Sequence, residues 1–172
     1  MRILGIDPGF RITGFGVVQI LRNGKLSYIT SGCIKTQGSI AERLQIIHEG
    51  ISEIIHDSKP EILVIEKVFV ARNADSALKL GHARGAAVCA CTNQQLSVHE
   101  YTALQIKKAV VGKGNAQKTQ VQHMVKKLLA LSGKPQADAA DALACAICHA
   151  HRTVGLQAQD RGLSVPRMRI VR

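Results

Sequence analysis

The feature that most constrains the fold is a change in the spacing of apolar residues along the chain. Residues 2–7, 13–21 and 25–35 form three runs that are rich in Val, Ile and other residues typical of strands. Between the second and third runs lies Asn23-Gly24, the commonest dipeptide for a two-residue hairpin turn with positive φ at both central positions. The amino-terminal part is therefore expected to form an antiparallel meander.

After this point helix-like and strand-like segments alternate. A helix begins near residue 40, where apolar residues recur at spacings of three and four and Ser39 and Glu42 are placed as a capping box. The later segments are strands over 61–68 and 96–101 and helices over 75–92, 102–111, 117–131 and 137–151. This order predicts an α/β fold, with a five-stranded mixed sheet covered by helices on both faces.

The chain of 172 residues has the length of one domain. We expect that domain to occupy residues 1–151. The remainder, residues 152–172, is basic and without clear periodicity, and we expect it to form a flexible tail.

The charge balance favours a polyanionic partner. There are 23 Lys and Arg against 12 Asp and Glu, which gives a formal net charge of +11. No apolar run is long enough to span a bilayer, and no basic amphipathic helix carries large aromatic residues, so nucleic acid is favoured over a membrane. The first predicted strand begins almost at Met1, so we expect no signal peptide and a cytoplasmic protein.

Four carboxylates lie at the ends of otherwise apolar elements. Asp7 ends the first predicted strand, and Glu66 follows the apolar run 62–65. Asp138 and Asp141 are the only formally charged residues over 135–151, and their spacing places them on one helical face. Burial of an unpaired, ionised carboxylate lowers the stability of the fold by several kcal/mol, as an order of magnitude. A cation, a metal or an added proton removes this cost.

Each acid also has an ordinary structural explanation. Asp7 could open an Asx turn, Glu66 could pair with Lys67 or Arg72, and Asp138 could cap the last helix with Asp141 in its first turn. Four acids at element ends in a basic chain nevertheless favour a shared function, which is binding of a divalent metal. Hard oxygen ligands select Mg²⁺ or Mn²⁺, and two such ions can promote hydrolysis of a phosphodiester.

Four motifs carry a resemblance to a known family. They are ILGIDPG at 3–9, IEKVF at 65–69, NADSALKLG at 73–81 and QADAADAL at 136–143, and over residues 2–151 they resemble the RuvC family of Holliday junction resolvases. The resemblance implies a ribonuclease H-like fold, a homodimer, and paired symmetric cuts across four-way DNA junctions in recombination and repair. It also implies about two Mg²⁺ ions per subunit, replaceable by Mn²⁺, and the branch-migration proteins RuvA and RuvB as partners. The family's acidic quartet maps without substitution onto Asp7, Glu66, Asp138 and Asp141.

The resemblance further implies a set of DNA-binding residues. Lys107 and Lys118 correspond to family lysines that approach DNA near the active site, and Lys108 and Lys113 lie in the same basic stretch. Phe69 corresponds to an aromatic residue that stacks on an unpaired base. The alternatives are a solvated basic face for the lysines and an ordinary core position for Phe69.

Other functions compete with this interpretation. The chain could be a nucleic-acid-binding module without activity, or a nuclease of the same fold that acts on RNA or on other branched DNA. The spacing of Cys145, Cys148 and His149 matches haem attachment, and zinc binding with Cys89 and Cys91 is possible on count, but both arrangements fall within apolar helices and are disfavoured.

Overall fold

The three amino-terminal strands pair in chain order, as expected for runs joined by short loops. In the computed structural model, which describes residues 1–68 and 73–160, antiparallel ladders join β1 (Arg2–Asp7), β2 (Ile12–Ile20) and β3 (Leu26–Lys35). Two further strands, β4 (Ile62–Glu66) and β5 (Ser97–Tyr101), pair in parallel on the other side of β1. The strand order β3-β2-β1-β4-β5 confirms the predicted five-stranded mixed sheet.

Helices cover both faces of this sheet, because the central strands β1 and β4 carry buried apolar residues on both faces. Leu4 and Ile6 of β1 face a core with the first two helices, whereas Ile3 faces a second core with the last three. The helices are α1 (Ile40–Ser58), α2 (Ala74–Thr92), α3 (Ala103–Val111), α4 (Lys118–Leu128) and α5 (Ala137–Asp160). None of the helices in these described parts is long and apolar enough to cross a membrane.

Two local expectations can be compared with the structure. The capping box at the start of α1 is confirmed, since Ser39 and Glu42 bond to each other's backbone N–H groups. Helix α5, in contrast, does not end at the predicted residue 151 but continues to Asp160. No Pro or Gly stop signal lies at residue 151, so the sequence offered little to fix that boundary.

The hairpin between β2 and β3 differs from the predicted two-residue turn. Within this described hairpin only Gly24 has positive φ, at +76°. The N–H of Gly24 donates to the carbonyl of Leu21, and the N–H of Leu21 donates to the carbonyl of Lys25, each at 2.9 Å. The loop therefore has three residues, because a β-turn followed by a left-handed glycine requires positive φ at only one position.

Helix α5 packs unusually close to the sheet, and glycines make this possible. Gly5 of β1 and Gly16 of β2 are register partners beneath the helix. A Cβ atom built at Gly5 would overlap the backbone oxygen of Ala142, and one at Gly16 would lie 2.6 Å from the side chain of Leu143. The helix backbone thus rests almost directly on the strands, which the missing side chains permit.

Candidate active site

Strand register brings the first two carboxylates together. The parallel pairing of β1 and β4 matches Ile6 with Ile65, so the next residues along, Asp7 and Glu66, are neighbours at the carboxyl ends of the two strands. Side chains two residues apart in a strand share a face, so Asp7 lies on the face of Ile3 and Glu66 on the face of Val64. Ile3 and Val64 both pack in the core that α5 covers. Asp7 and Glu66 therefore share one edge of the sheet.

Close packing of α5 adds the other two carboxylates. Gly14 is the register partner of Asp7, and a Cβ atom at Gly14 would overlap the backbone oxygen of Asp138. The start of the helix therefore lies directly beside the end of β1. Asp141 follows Asp138 at a spacing that keeps it on the same helical face.

A cleft of about 330 Å³ opens at this edge of the sheet. Three carboxylates line it, those of Asp7, Glu66 and Asp141, together with the amines of Lys107 and Lys118. Asp138 is not part of the cleft wall, but its charge acts on Asp7 from close by. The wall is completed by apolar or small residues from four elements and adjoining loops: Pro8, Val68, Leu80, Ala103, Ile106, Val121 and Ala144.

One lysine and one aspartate of the cleft form an ion pair. The Nζ of Lys118, the first residue of α4, lies 3.3 Å from the Oδ2 of Asp141. The lysine side chain is 82% exposed and the aspartate side chain 25%. The nearby charge of Asp141 raises the pKa of Lys118, so the lysine carries its positive charge at neutral pH.

The carboxylates disfavour one another's ionisation. Burial raises the pKa of Asp7 to about 7, and the negative charges of Asp141, Asp138 and Glu66 act in the same direction, against the charge of Lys118. Burial also raises the pKa of Glu66, with a further contribution from Asp141. An isolated exposed Asp would not show this effect, which arises from carboxylates gathered in a partly buried place.

The ordinary explanations for these acids account for part of the geometry only. The loop after Asp7 is held by Thr13, whose hydroxyl donates to the carbonyl of Gly9 at 2.9 Å and accepts from its N–H. Asp138 lies within the first turn of α5 rather than before it, where the helix dipole favours a negative charge. Neither role explains why Asp7 lies close to the charges of Asp141, Asp138 and Glu66.

The donor set fits a hard divalent cation. All four side chains offer carboxylate oxygens, which Mg²⁺ and Mn²⁺ prefer, and a bound cation would offset the repulsion that raises the pKa of Asp7. Among residues 1–68 and 73–160, no three Asp, Glu, His or Cys side chains are close enough to enclose one ion as they stand. Side-chain rotation toward a common point becomes favourable only when a cation balances the like charges.

The remaining predicted DNA-binding residues are placed differently. Lys108 is exposed in the last turn of α3, and Lys113 is exposed in the loop that follows. Both lie beyond the cleft wall formed by Lys107 and Lys118. Phe69 and Arg72 lie outside the described residues.

Several contributors to the site were missed from the sequence. The alternation of Gly14 and Gly16 within a strand was the available signal for close approach of another backbone. Leu80 lines the cleft from α2, and Arg84, one turn later, donates to the backbone carbonyl of Glu66 at 2.7 Å. Nothing in the sequence pattern distinguishes Arg84 from a surface arginine.

The raised pKa of Asp7 predicts how stability depends on pH without divalent metal. Because the folded-state pKa of about 7 exceeds the ordinary value of 3.8, the folded protein binds more protons between these values, and its stability falls as pH rises through them. After allowance for solvent screening, this corresponds to a decrease in Tm on the order of 5 °C between pH 5 and pH 8. Thermal unfolding in EDTA would measure it.

The variant Asp7→Asn isolates this contribution from other titrating groups. We expect its Tm to fall less than that of the parent protein over the same pH range, since Asn does not ionise. Parallel curves for the two proteins would show that Asp7 has an ordinary pKa and is not surrounded by negative charge.

Fold and site together define a class of protein. A mixed sheet with three antiparallel and two parallel strands, helices on both faces and acids at the ends of β1 and β4 is the arrangement of the ribonuclease H-like fold. The model of the family "Crossover junction endodeoxyribonuclease RuvC" matches residues 3–149. The chain belongs to the RuvC family.

Individual relatives agree with this assignment. The crossover junction endodeoxyribonuclease RuvC of Pseudoalteromonas atlantica is 60% identical over 156 residues, which cover 90% of this chain and 89% of that protein. The protein of the same name from Aeromonas salmonicida is 61% identical over 150 residues, covering 87% and 86%. The structure of T. thermophilus RuvC in complex with Holliday junction substrate superimposes with a TM-score of 0.84 at 34% identity, covering 90% of this chain and 96% of that one.

Proposed function

We propose that this protein is a Mg²⁺-dependent, structure-selective endonuclease that resolves four-way DNA junctions by paired symmetric cuts. The observation that carries the proposal is the cleft in which Asp7, Glu66 and Asp141 lie with Lys107 and Lys118. Membership of the RuvC family and the similarity to a relative solved with a Holliday junction support the choice of substrate. Recombination and DNA repair are the processes that such an activity serves.

The carboxylates provide the binding site for the metal. Asp7, Glu66 and Asp141 would hold Mg²⁺ from the cleft wall and Asp138 from beside Asp7, with Mn²⁺ as a substitute and about two ions per subunit. Bound Mg²⁺ supplies the positive charge that activates a water molecule and stabilises the leaving oxygen of the phosphodiester. No side-chain nucleophile is then needed.

The basic residues position the DNA. Lys107 and Lys118 lie in the cleft wall, where their ammonium groups attract a phosphate to the carboxylates. Lys108 and Lys113 extend the positive surface along α3 and its following loop. By the family resemblance, Phe69 would stack on an unpaired base and so help to keep the junction open.

Two cuts placed symmetrically require two active sites. Since one chain contributes one cleft, we propose a homodimer as the active form. By family analogy we also propose that it acts with RuvA and RuvB, in the cytoplasm. Residues 1–151 would form the nuclease domain, and residues 152–160, which were expected to belong to a flexible tail, extend it as the last turns of α5.

The test of the proposed function is a comparison of DNA substrates. We expect Mg²⁺ to support cleavage of a synthetic four-way junction, with paired nicks on opposing strands, at least about tenfold faster than cleavage of a three-way junction or a linear duplex. Denaturing gel electrophoresis of end-labelled strands would measure both rate and position. Junction binding without cleavage would favour a module without activity, and preferential cleavage of RNA or three-way DNA would favour a different nuclease.

A further inference from the structure

Helix α2 reaches the end of β4 through one arginine. Arg84 donates from Nη1 to the backbone carbonyl of Glu66 at 2.7 Å, and its Nη2 pairs with the carboxylate of Glu100 on β5. The arginine side chain is only 16% exposed. A single guanidinium group therefore joins α2 to the ends of two adjacent strands.

The peptide group after Glu66 is held at both of its polar atoms. Its carbonyl oxygen accepts from Arg84, and its N–H, which belongs to Lys67, donates to the carbonyl of Tyr101 at 2.8 Å. Because a peptide group is planar, two such bonds fix its orientation and with it the backbone torsion ψ of Glu66. The backbone from which the Glu66 side chain reaches the cleft wall is thereby restrained.

This restraint matters because the regular parallel ladder ends at Glu66. The pairing of β4 with β5 stops at Glu66 and Tyr101, and the pairing with β1 ends one residue earlier. Residues at the end of a ladder have fewer backbone partners to hold them. Glu66 and Asp141 line the same cleft, and repulsion between their negative charges would favour rotation of the Glu66 side chain away from the other carboxylates.

We propose that Arg84 is a positioning residue that sets Glu66 for metal binding through the Glu66 carbonyl. The inference rests on the proposed function, in which Glu66 is a metal ligand. Arg84 does not line the cleft itself, and its contact with the site is the bond to the Glu66 carbonyl. Its planar fork serves two partners at fixed angles, which the single ammonium group of lysine cannot do.

The experiment measures metal binding apart from catalysis. Mn²⁺ binding to the full chain without DNA, followed by electron paramagnetic resonance, is expected to weaken about tenfold in Arg84→Lys, the lower end of the effect usual for residues that orient metal ligands. In Mg²⁺ titrations of junction cleavage, the midpoint should rise by a similar factor, and kcat at a fixed subsaturating Mg²⁺ concentration should fall. The KM for the junction should change less than twofold, on the order of experimental error.

The matched control is Arg2→Lys at the opposite end of the sheet. Arg2 also donates from Nη1 to a backbone carbonyl, that of Ser58, at 2.6 Å. It lies at the start of β1, away from the cleft. We expect Arg2→Lys to lower Tm without changing Mn²⁺ affinity, so the control separates loss of a buried bond from loss of position.

A third variant separates failure of this inference from failure of the proposed function. Glu66→Gln should weaken Mn²⁺ binding by more than Arg84→Lys. Weakening in Glu66→Gln with unchanged affinity in Arg84→Lys would overturn the role of Arg84 and leave the metal site intact. Unchanged affinity in Glu66→Gln itself would overturn the metal site and, with it, this inference.

Discussion

Replacement of Asp7 by Asn is expected to reduce junction cleavage roughly 10³-fold while junction binding is retained. Asn keeps the shape of Asp but lacks its charge, so the site loses a metal ligand. The bound metal supplies several kcal/mol of transition-state stabilisation, on the order of the barrier change that corresponds to a 10³-fold loss in rate. Binding should persist because the cleft becomes less negative beside Lys107 and Lys118. Single-turnover cleavage and electrophoretic mobility shift with the same labelled junction would measure both quantities.

The matched control is Asp57→Asn near the end of α1. Asp57 is exposed and pairs only with its neighbour His56 among the contacts described for it. The Asp57→Asn variant should cleave the junction at the parent rate. Cleavage by Asp7→Asn within about tenfold of the parent rate would contradict the assignment of Asp7 to the metal site.

The second large effect is expected from Gly14→Ala. A Cβ atom at this position would overlap the backbone oxygen of Asp138, so the start of α5 must move away from the end of β1. We expect a loss of about 1–3 kcal/mol in the free energy of unfolding, as for overpacked cores. A displacement near 1 Å would also lower cleavage roughly 100-fold, because Asp138 and Asp141 move away from Asp7.

A glycine within α5 provides the control. Gly155 lies within α5, and a Cβ atom there meets nothing within 4 Å. Gly155→Ala should keep full activity and raise the free energy of unfolding by about 0.5–1 kcal/mol, since alanine favours the helix. Urea unfolding and cleavage rates of the two variants would decide. Parent-like activity and stability in Gly14→Ala would mean that α5 does not depend on close approach at this point.

The sequence predicted most of the secondary structure because apolar spacing reflects which faces are buried. The mixed sheet follows from three strand-like runs before the first helix, and the α1 capping box was predicted residue by residue. The turn at Asn23-Gly24 and the end of α5 were predicted incorrectly. Loop length and helix ends depend on small energy differences that tertiary contacts override.

For the site, the sequence could place each carboxylate on a face but could not bring them together. The alternation in β1 and β4 put Asp7 and Glu66 on one side of their strands, and helical spacing put Asp138 and Asp141 on one side of α5. The reason to expect that these separate faces form one site came from the four motifs that resemble the RuvC family. The roles of the acids as metal ligands remain predictions.

The amino-acid sequence alone determined the secondary-structure elements, the mixed sheet, the basic character of the chain and the identity of the four acids. Each of these depends on local spacing or on residue chemistry. The tertiary structure alone decides how near the acids lie and what holds them there. The contact of Gly14 with α5 and the bond from Arg84 to Glu66 join residues far apart in the chain. Their geometry depends on the docking of whole elements, and no periodicity in the sequence encodes that. The carboxylate cluster is thus a product of packing as much as of composition.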